Sequence, residues 1–181
     1  MDPVIMYASV ASMAVLLCIG GLDKLRHFEL FEAAVAGYRL LPEALLRPFA
    51  GVFVAAELVA APLLVVPASR GYGSVLALAV LAVATLGIVI NLLRGRRDVD
   101  CGCSGLGRPS AGLSWWLVGR NAMLALLALT AGGAWWTETA RELAWVDSLT
   151  FFGATLSLLG LYFAANQLID SHVKFQSIQK S

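Results

Sequence analysis

Two cysteines separated by a single glycine are the residues of this chain best suited to chemistry. Cys101 and Cys103 lie in the charged, glycine-flanked segment RGRRDVDCGCSG, residues 94–105, between two long apolar runs. Because glycine permits the backbone angles of a tight turn, the two thiols can close a small strained ring. Strain makes a disulfide labile rather than structural. The pair therefore predicts thiol–disulfide redox chemistry, with Cys101 and Cys103 as the reacting groups.

Charged neighbours act on this cysteine pair in opposite directions. Three arginines within the segment favour the thiolate, which is the reactive form, whereas Asp98 and Asp100 offset most of that charge. Metal binding is the alternative use of such thiols, but tetrahedral zinc and soft copper sites need further ligands at workable spacing. His27 and His172 are the only histidines of the sequence, and neither belongs to a metal-type pair. The sequence therefore predicts no metal site.

The third cysteine, Cys18, lies four residues before the end of the first apolar run. One interpretation makes it a packing residue, because a free cysteine behaves as a small hydrophobic side chain. The other makes it a resolving thiol for a mixed disulfide at Cys101 or Cys103. In a serpentine bundle the end of the first helix and the cysteine segment share one face, so both interpretations stay open.

The composition of the chain indicates an integral membrane protein. Apolar residues make up 59% of the 181 residues and charged residues 14%, whereas a soluble globular domain carries about 25% charge. We therefore predict an all-α, polytopic membrane bundle that forms one domain over residues 1–181. A net charge of +1 gives no reason to expect nucleic acid as a partner. The expected partner of such a surface is membrane lipid.

The elements that must position the cysteines are long apolar runs. Because about 20 helical residues cross a hydrocarbon core, the runs predict four or five transmembrane helices. These apolar runs lie at about residues 4–22, 49–66, 74–93, 113–131 and 149–169. Between the first two, residues 24–41 repeat apolar side chains every three or four positions with charges between them. This pattern predicts an amphipathic helix that lies in the membrane interface or packs under the bundle, and Pro42 is expected to end it.

Ionisable and amide side chains within these runs predict a polar layer in one half of the bundle. Glu57 and Arg120 lie at matching depths of roughly 10–12 Å, counted at 1.5 Å per residue. The same half holds Cys18, Asn91, Asn121, Asn166 and Gln167. Because an isolated charge in hydrocarbon costs at least about 2.5–3.5 kcal/mol, we predict that Glu57 and Arg120 pair. The alternative is that Arg120 extends to the headgroups while Glu57 is protonated.

Basic residues cluster on one side of the predicted topology. That side holds Lys24, Arg26, Arg39, Arg47, Arg94, Arg96, Arg97, Arg108, Lys174 and Lys180, and the other side holds Arg70 and Arg141. The excess of lysine and arginine in cytoplasmic loops then predicts a multi-pass protein of the bacterial cytoplasmic membrane. Its N terminus is expected outside and its cysteine loop in the cytoplasm.

Several segments resemble the methylamine utilisation protein MauE family, within the DoxX-like group of small helical membrane proteins. They are GLDKLRHF, YRLLPEALLRPFA, AAELVAAPLLVVP, INLLRGRRDVDCGCSG and LVGRNAMLALLAL, within about residues 15–130. The resemblance implies help in maturing the small subunit of methylamine dehydrogenase, whose disulfides and tryptophan tryptophylquinone form outside the membrane. It also implies a thioredoxin-like partner.

The implied role and the predicted orientation point to opposite sides of the membrane. An exported substrate favours cysteines outside, whereas the basic residues place them inside. A relay of reducing equivalents across the bilayer, or help in export or assembly, reconciles the two. A non-redox scaffold or transport helper with a Glu57–Arg120 pocket is the alternative function. A quinone-coupled thiol oxidase would need a second cysteine pair, which the sequence lacks, so no cofactor is predicted and a quinone is without support.

Overall fold

Long helices account for most of the chain. The computed structural model describes residues 3–96, 99, 112–133 and 145–179. These residues form six α-helices, namely α1 (Pro3–Arg26), α2 (Phe28–Gly37), α3 (Glu43–Val65), α4 (Arg70–Leu93), α5 (Trp115–Gly133) and α6 (Trp145–Gln179), with one 3₁₀ turn at Pro67–Ser69.

Four described segments are long and apolar enough to cross a membrane. They are Val4–Arg26, Glu43–Val65, Pro67–Leu93 and Asp147–Leu168. The prediction of an all-α membrane bundle is therefore confirmed. The last of these segments belongs to α6, whose 35 residues extend over about 52 Å at 1.5 Å per residue. This helix is longer than the roughly 30 Å hydrocarbon core and longer than the predicted span at 149–169.

The remaining predicted span, at 113–131, corresponds to α5 but is not among these four segments. Its 19 residues rise about 28 Å, close to the thickness of a hydrocarbon core. Arg120 and Asn121 reduce its hydropathy. Because α5 packs against both α1 and α4, it belongs to the bundle, and a fifth crossing stays a prediction.

The segment predicted as one amphipathic helix, residues 24–41, divides into two parts. α1 continues to Arg26, and the break falls at His27, whose backbone angles (φ −115°, ψ 45°) are not helical. Pro42 does not end the amphipathic helix, as the sequence suggested, but has extended angles before the first turn of α3. α3 therefore starts at residue 43 rather than 49. A proline suits this position because its missing N–H has no partner to lose there.

α1 contacts α2, α3, α5 and α6. Its inward face follows a three-to-four-residue spacing, as expected for a helix with one buried stripe. The main core of the bundle combines that stripe with residues of α3, α4 and α5. Its larger members are Met6, Val10, Met13, Leu17, Leu64 and Leu81.

Small side chains allow the helices to approach closely. A Cβ atom at Gly73 of α4 would lie 2.5 Å from the backbone nitrogen of Leu64, so the backbones of α3 and α4 are in direct contact there. Ser74 donates a hydrogen bond of 2.6 Å to the carbonyl of Ala128. Close approach through small residues is the usual mode of helix association in membranes.

Arg70, which was counted on the side opposite the cysteine loop, is buried at the junction of α3 and α4. Its side chain donates to the carbonyl of Leu64 at 3.2 Å and to the sulfur of Met6 at 3.4 Å. Its guanidinium also lies 5.4 Å from the centre of the Tyr7 ring. A cation here compensates the unsatisfied carbonyls and the negative dipole end of α3.

Candidate functional site: a buried polar cavity

Lys24 and Glu57 form a buried ion pair between α1 and α3. The lysine nitrogen lies 2.8 Å from Oε1 and 2.7 Å from Oε2 of the carboxylate, and each side chain is 10% exposed. Gly20, one turn earlier on α1, lies beside the pair, and a Cβ there would be in ordinary van der Waals contact with the lysine nitrogen, at 3.6 Å. Because a single charge is costly in hydrocarbon, each group stabilises the other inside the bundle.

Two phenylalanine rings flank the ammonium group of Lys24. Its nitrogen is 5.7 Å from the ring centre of Phe31 and 5.8 Å from that of Phe53, within the range of cation–π attraction. The two rings also contact each other, with centres 5.6 Å apart. Phe31 comes from α2 and Phe53 from α3. The short amphipathic helix α2 therefore supplies part of the wall around the ion pair.

Arg120 of α5 is held by amide side chains. It donates to Asn166 Oδ1 on α6 at 2.7 Å and to the neighbouring Asn121 Oδ1 at 3.3 Å. The guanidinium carbon lies 5.9 Å from the ring centre of Tyr162. Asn121 in turn donates to Thr85 Oγ1 of α4 at 3.0 Å. These bonds connect α5 to both α4 and α6.

One cavity of about 280 Å³ joins these two polar groups. Its polar lining consists of Lys24, Tyr38, Glu57, Arg120, Asn121 and Tyr162. The rest of the lining is glycine, alanine, methionine, leucine, isoleucine, valine and phenylalanine. A largely apolar pocket with a few convergent polar groups is the usual form of a small-molecule site, so we take this cavity as the candidate functional site.

Arg96 attaches the chain after α4 to the end of α2. It donates to the carbonyls of Gly37 at 3.0 Å and Tyr38 at 3.4 Å, and to Asn91 Oδ1 at 3.4 Å. Asn91 is fully buried and donates to the carbonyl of Gly87 at 3.1 Å. Asn91 is thus a structural link to Arg96 rather than one of the lining residues of the cavity.

Val99 is a second anchor of the same segment. It is buried in a small core with Ile88, Leu113 and Leu117. A Cβ at Gly37 would lie 3.2 Å from its side chain, so the end of α2 also packs closely against it. The segment that leads to the cysteine pair is therefore attached at two points beside the ends of α2 and α4.

The described lining of the cavity includes no cysteine. Cys101 and Cys103 lie outside the described residues, so their role stays a prediction. Cys18 is exposed on α1, and its low burial gives no support to the core-packing interpretation. Its role as a resolving thiol also stays a prediction.

The structure places Glu57, Arg120 and Asn121 on the walls of one cavity, but the cation within 2.7 Å of Glu57 is Lys24. Lys24 was not predicted as part of the site, because its position after the first apolar run suggested a charged connection between helices. Its spacing nevertheless indicated a buried position. Lys24 lies two helical turns after Leu17, on the same face of α1 as the buried Met13 and Leu17. A direct contact between Glu57 and Arg120 stays a prediction.

The chain is similar to known proteins over most of its length. Residues 2–137 match the family described as methylamine utilisation protein MauE. The methylamine utilization protein MauE of Methylorubrum extorquens is 39% identical over 165 residues, or 91% of this chain and 87% of its own length. That of Paracoccus versutus is 38% identical over 167 residues, or 92% and 88%, and that of Methylophilus methylotrophus is 30% identical over 171 residues, or 93% and 87%. No solved structure matches the chain.

Proposed function

The chain belongs to the methylamine utilisation protein MauE family, and from this premise we propose that it is a membrane factor that matures an exported protein by thiol–disulfide exchange. Cys101 and Cys103 are the reacting groups. The expected substrate is the methylamine dehydrogenase small subunit, and the expected partner is a thioredoxin-like protein. Membership of the MauE family connects the protein with methylamine utilisation, and the thiol-exchange role is the proposal.

The observation that carries this proposal is the anchoring of the chain just before the cysteine pair. Arg96 is bonded to the end of α2, and Val99, two residues before Cys101, is buried against α4 and α5. Two residues of extended chain span at most about 7 Å. The anchors therefore support a dithiol that works at this end of the bundle, on the side of the polar cavity.

The proposed exchange is balanced in electrons and protons. A strained Cys101–Cys103 disulfide oxidises two thiols of the substrate, which lose two electrons and two protons as their own disulfide forms. Cys101 and Cys103 gain both and become a dithiol. A thioredoxin-like partner in its disulfide form restores the pair, because each exchange proceeds through a mixed disulfide.

The orientation in the bacterial cytoplasmic membrane is part of the proposal. Lys24 and Arg70 are both buried within the bundle, and leaving them out still gives nine basic residues against one. The positive-inside rule then favours a cytoplasmic cysteine loop, in which case the pair serves a relay of reducing equivalents across the bilayer. Direct exchange with the exported substrate requires the loop on the outer side. A membrane-impermeant maleimide applied to intact cells tests this, since labelling of Cys101 or Cys103 from outside would reverse the orientation.

The double variant Cys101→Ser with Cys103→Ser tests the exchange. We expect methylamine dehydrogenase small subunit from such cells to retain free thiols, measured as a gel shift after alkylation with a maleimide of high mass. Cys18→Ser, at an exposed position of α1, reports separately whether a third thiol takes part. If the small subunit from cells with the double variant had all its disulfides, thiol chemistry by Cys101 and Cys103 would be refuted.

A second function is favoured by the cavity itself. A non-redox scaffold or transport helper would use the pocket between Glu57 and Arg120, and its cysteines would be dispensable. In that case the double serine variant would mature the dehydrogenase normally, whereas Arg120→Leu would not. The two sets of variants therefore separate the two functions.

A further inference from the structure

The cavity reaches the lipid-facing side of the bundle. Three of its lining residues, Leu40, Val83 and Leu86, are 39%, 45% and 60% exposed. Leu40 belongs to the connection after α2, and the other two belong to α4. Because the outer surface of a membrane-spanning helix faces hydrocarbon, an opening with this rim connects to the acyl-chain region. A molecule that enters there must be lipophilic.

The inner part of the cavity favours a different kind of chemical group. Among the described lining residues, Lys24 and Arg120 are cationic and Glu57 is anionic. Glu57 already lies 2.7 Å from Lys24, and Arg120 is 8% exposed. The formal charge of this described lining is therefore positive. A positive lining favours a ligand with acceptor oxygens and disfavours a cationic ligand. Tyr38 and Asn121 add side chains that donate hydrogen bonds.

We propose that this cavity binds a lipophilic molecule whose compact head group accepts hydrogen bonds. The head lies near Arg120, and the hydrocarbon chain leaves past Leu86 into the bilayer. A carboxylate on an acyl chain and a quinone on an isoprenoid chain share this chemistry. The volume of about 280 Å³ is near the lower end for small-molecule pockets and suits a head group with the first part of its chain.

The proposal extends beyond thiol exchange and does not depend on it. Arg120 is oriented by Asn166 and Asn121, and its guanidinium suits oxygen acceptors, since it presents planar donors to a carboxylate or carbonyl. None of these residues is a cysteine. Binding should therefore persist in the double variant Cys101→Ser with Cys103→Ser, whatever that variant does to maturation.

The test measures binding to the full chain in nanodiscs of zwitterionic lipid by native mass spectrometry. Palmitate and decylubiquinone are the two acceptor-headed probes, and dodecyltrimethylammonium is the probe of opposite charge. We expect at least one acceptor-headed probe to bind and the cation to bind at least about tenfold more weakly. The probe that binds identifies the source of the head group.

Three variants locate the binding. Arg120→Leu should weaken binding at least about tenfold, because a hydrogen bond to a charged group is worth about 1.5–3 kcal/mol. Leu86→Trp should obstruct the rim without touching a polar group, so the proposal remains testable if Arg120→Leu fails to fold. Met123→Leu, at a 70% exposed site of α5, is the control and should change nothing.

Three results would overturn the proposal. The first is that neither palmitate nor decylubiquinone binds the native chain. The second is that their affinity is the same in the native chain, in Arg120→Leu and in Leu86→Trp, since binding would then occur on the lipid-facing surface. Loss of binding in the double serine variant alone would also overturn it, because the ligand would then depend on the thiols.

Discussion

Removing one partner of the Lys24–Glu57 pair should destabilise the protein far more than removing both. At 2.7 Å and an effective dielectric constant of about 20, the attraction between the two charges is about 6 kcal/mol. The cost of withdrawing both from water offsets much of it. What remains after Glu57→Leu is a buried ammonium group without its carboxylate, and loss of one member of a buried pair costs about 3–5 kcal/mol.

The double variant Lys24→Met with Glu57→Leu replaces both charges with apolar side chains of similar size. Such a replacement is often neutral or stabilising, and here the new side chains would contact Phe31 and Phe53. We therefore expect a coupling free energy of at least about 2 kcal/mol between the two positions. The native chain, both single variants and the double variant form the cycle that measures this term.

The assay is reversible unfolding of the purified protein by dodecyl sulfate in mixed micelles, followed by circular dichroism. Met123→Leu, at an exposed position of α5, should unfold within about 0.5 kcal/mol of the native chain. A second cycle with Glu57→Leu and Arg120→Leu measures the pair that the sequence suggested. Additive effects of Lys24→Met and Glu57→Leu, within about 0.5 kcal/mol, would refute the assignment of Lys24 as the partner.

Three further predictions use the same unfolding assay. Gly73→Ala should lower the free energy of unfolding by about 1–3 kcal/mol, because the added Cβ would meet the backbone of α3. Gly51→Ala should be neutral or stabilising, since its Cβ would have no neighbour within 4 Å among the described residues. Equal effects of the two substitutions would contradict the close contact of α3 and α4. Thr85→Val and Asn121→Ala should each cost at least about 1 kcal/mol. The double variant should cost less than the sum, because both substitutions remove the same hydrogen bond, from Asn121 to Thr85; a full sum would exclude that bond. Arg39 has a φ angle of 49°, in the left-handed region that glycine adopts without strain and that a β-branched residue avoids. Arg39→Gly should therefore stabilise the folded protein by about 1 kcal/mol, and Arg39→Val should destabilise it. The reverse order would exclude the left-handed conformation.

The helical membrane fold could be predicted from the sequence because hydropathy determines it directly. Runs of about 20 apolar residues leave only helices or closed barrels as stable forms in hydrocarbon. The ends of the helices were less accurate, because local backbone geometry determines them. His27 leaves the helical region inside a stretch of regular apolar spacing, and Pro42 begins a helix instead of ending one.

The candidate site could be predicted only in part. Depth along the sequence indicated that Glu57 and Arg120 lie in one half of the bundle, and both line the cavity. Depth gives no information about the rotation of each helix, so it could not show that Lys24 faces Glu57. Arg96 was also counted only as a loop charge, because its partners at the end of α2 are backbone carbonyls, which carry no sequence signal.

The polar contacts of the bundle explain how a cavity persists inside it. Each contact joins a different pair of helices: Lys24 with Glu57 joins α1 to α3, Asn121 with Thr85 joins α4 to α5, and Arg120 with Asn166 joins α5 to α6. A polar group that lost such a partner in hydrocarbon would be costly. The helices therefore cannot close on the space between these contacts without breaking one of them. Tight packing occurs instead where small residues meet, as at Gly73 of α4. The same polar contacts that join the helices thus also keep the cavity between them open.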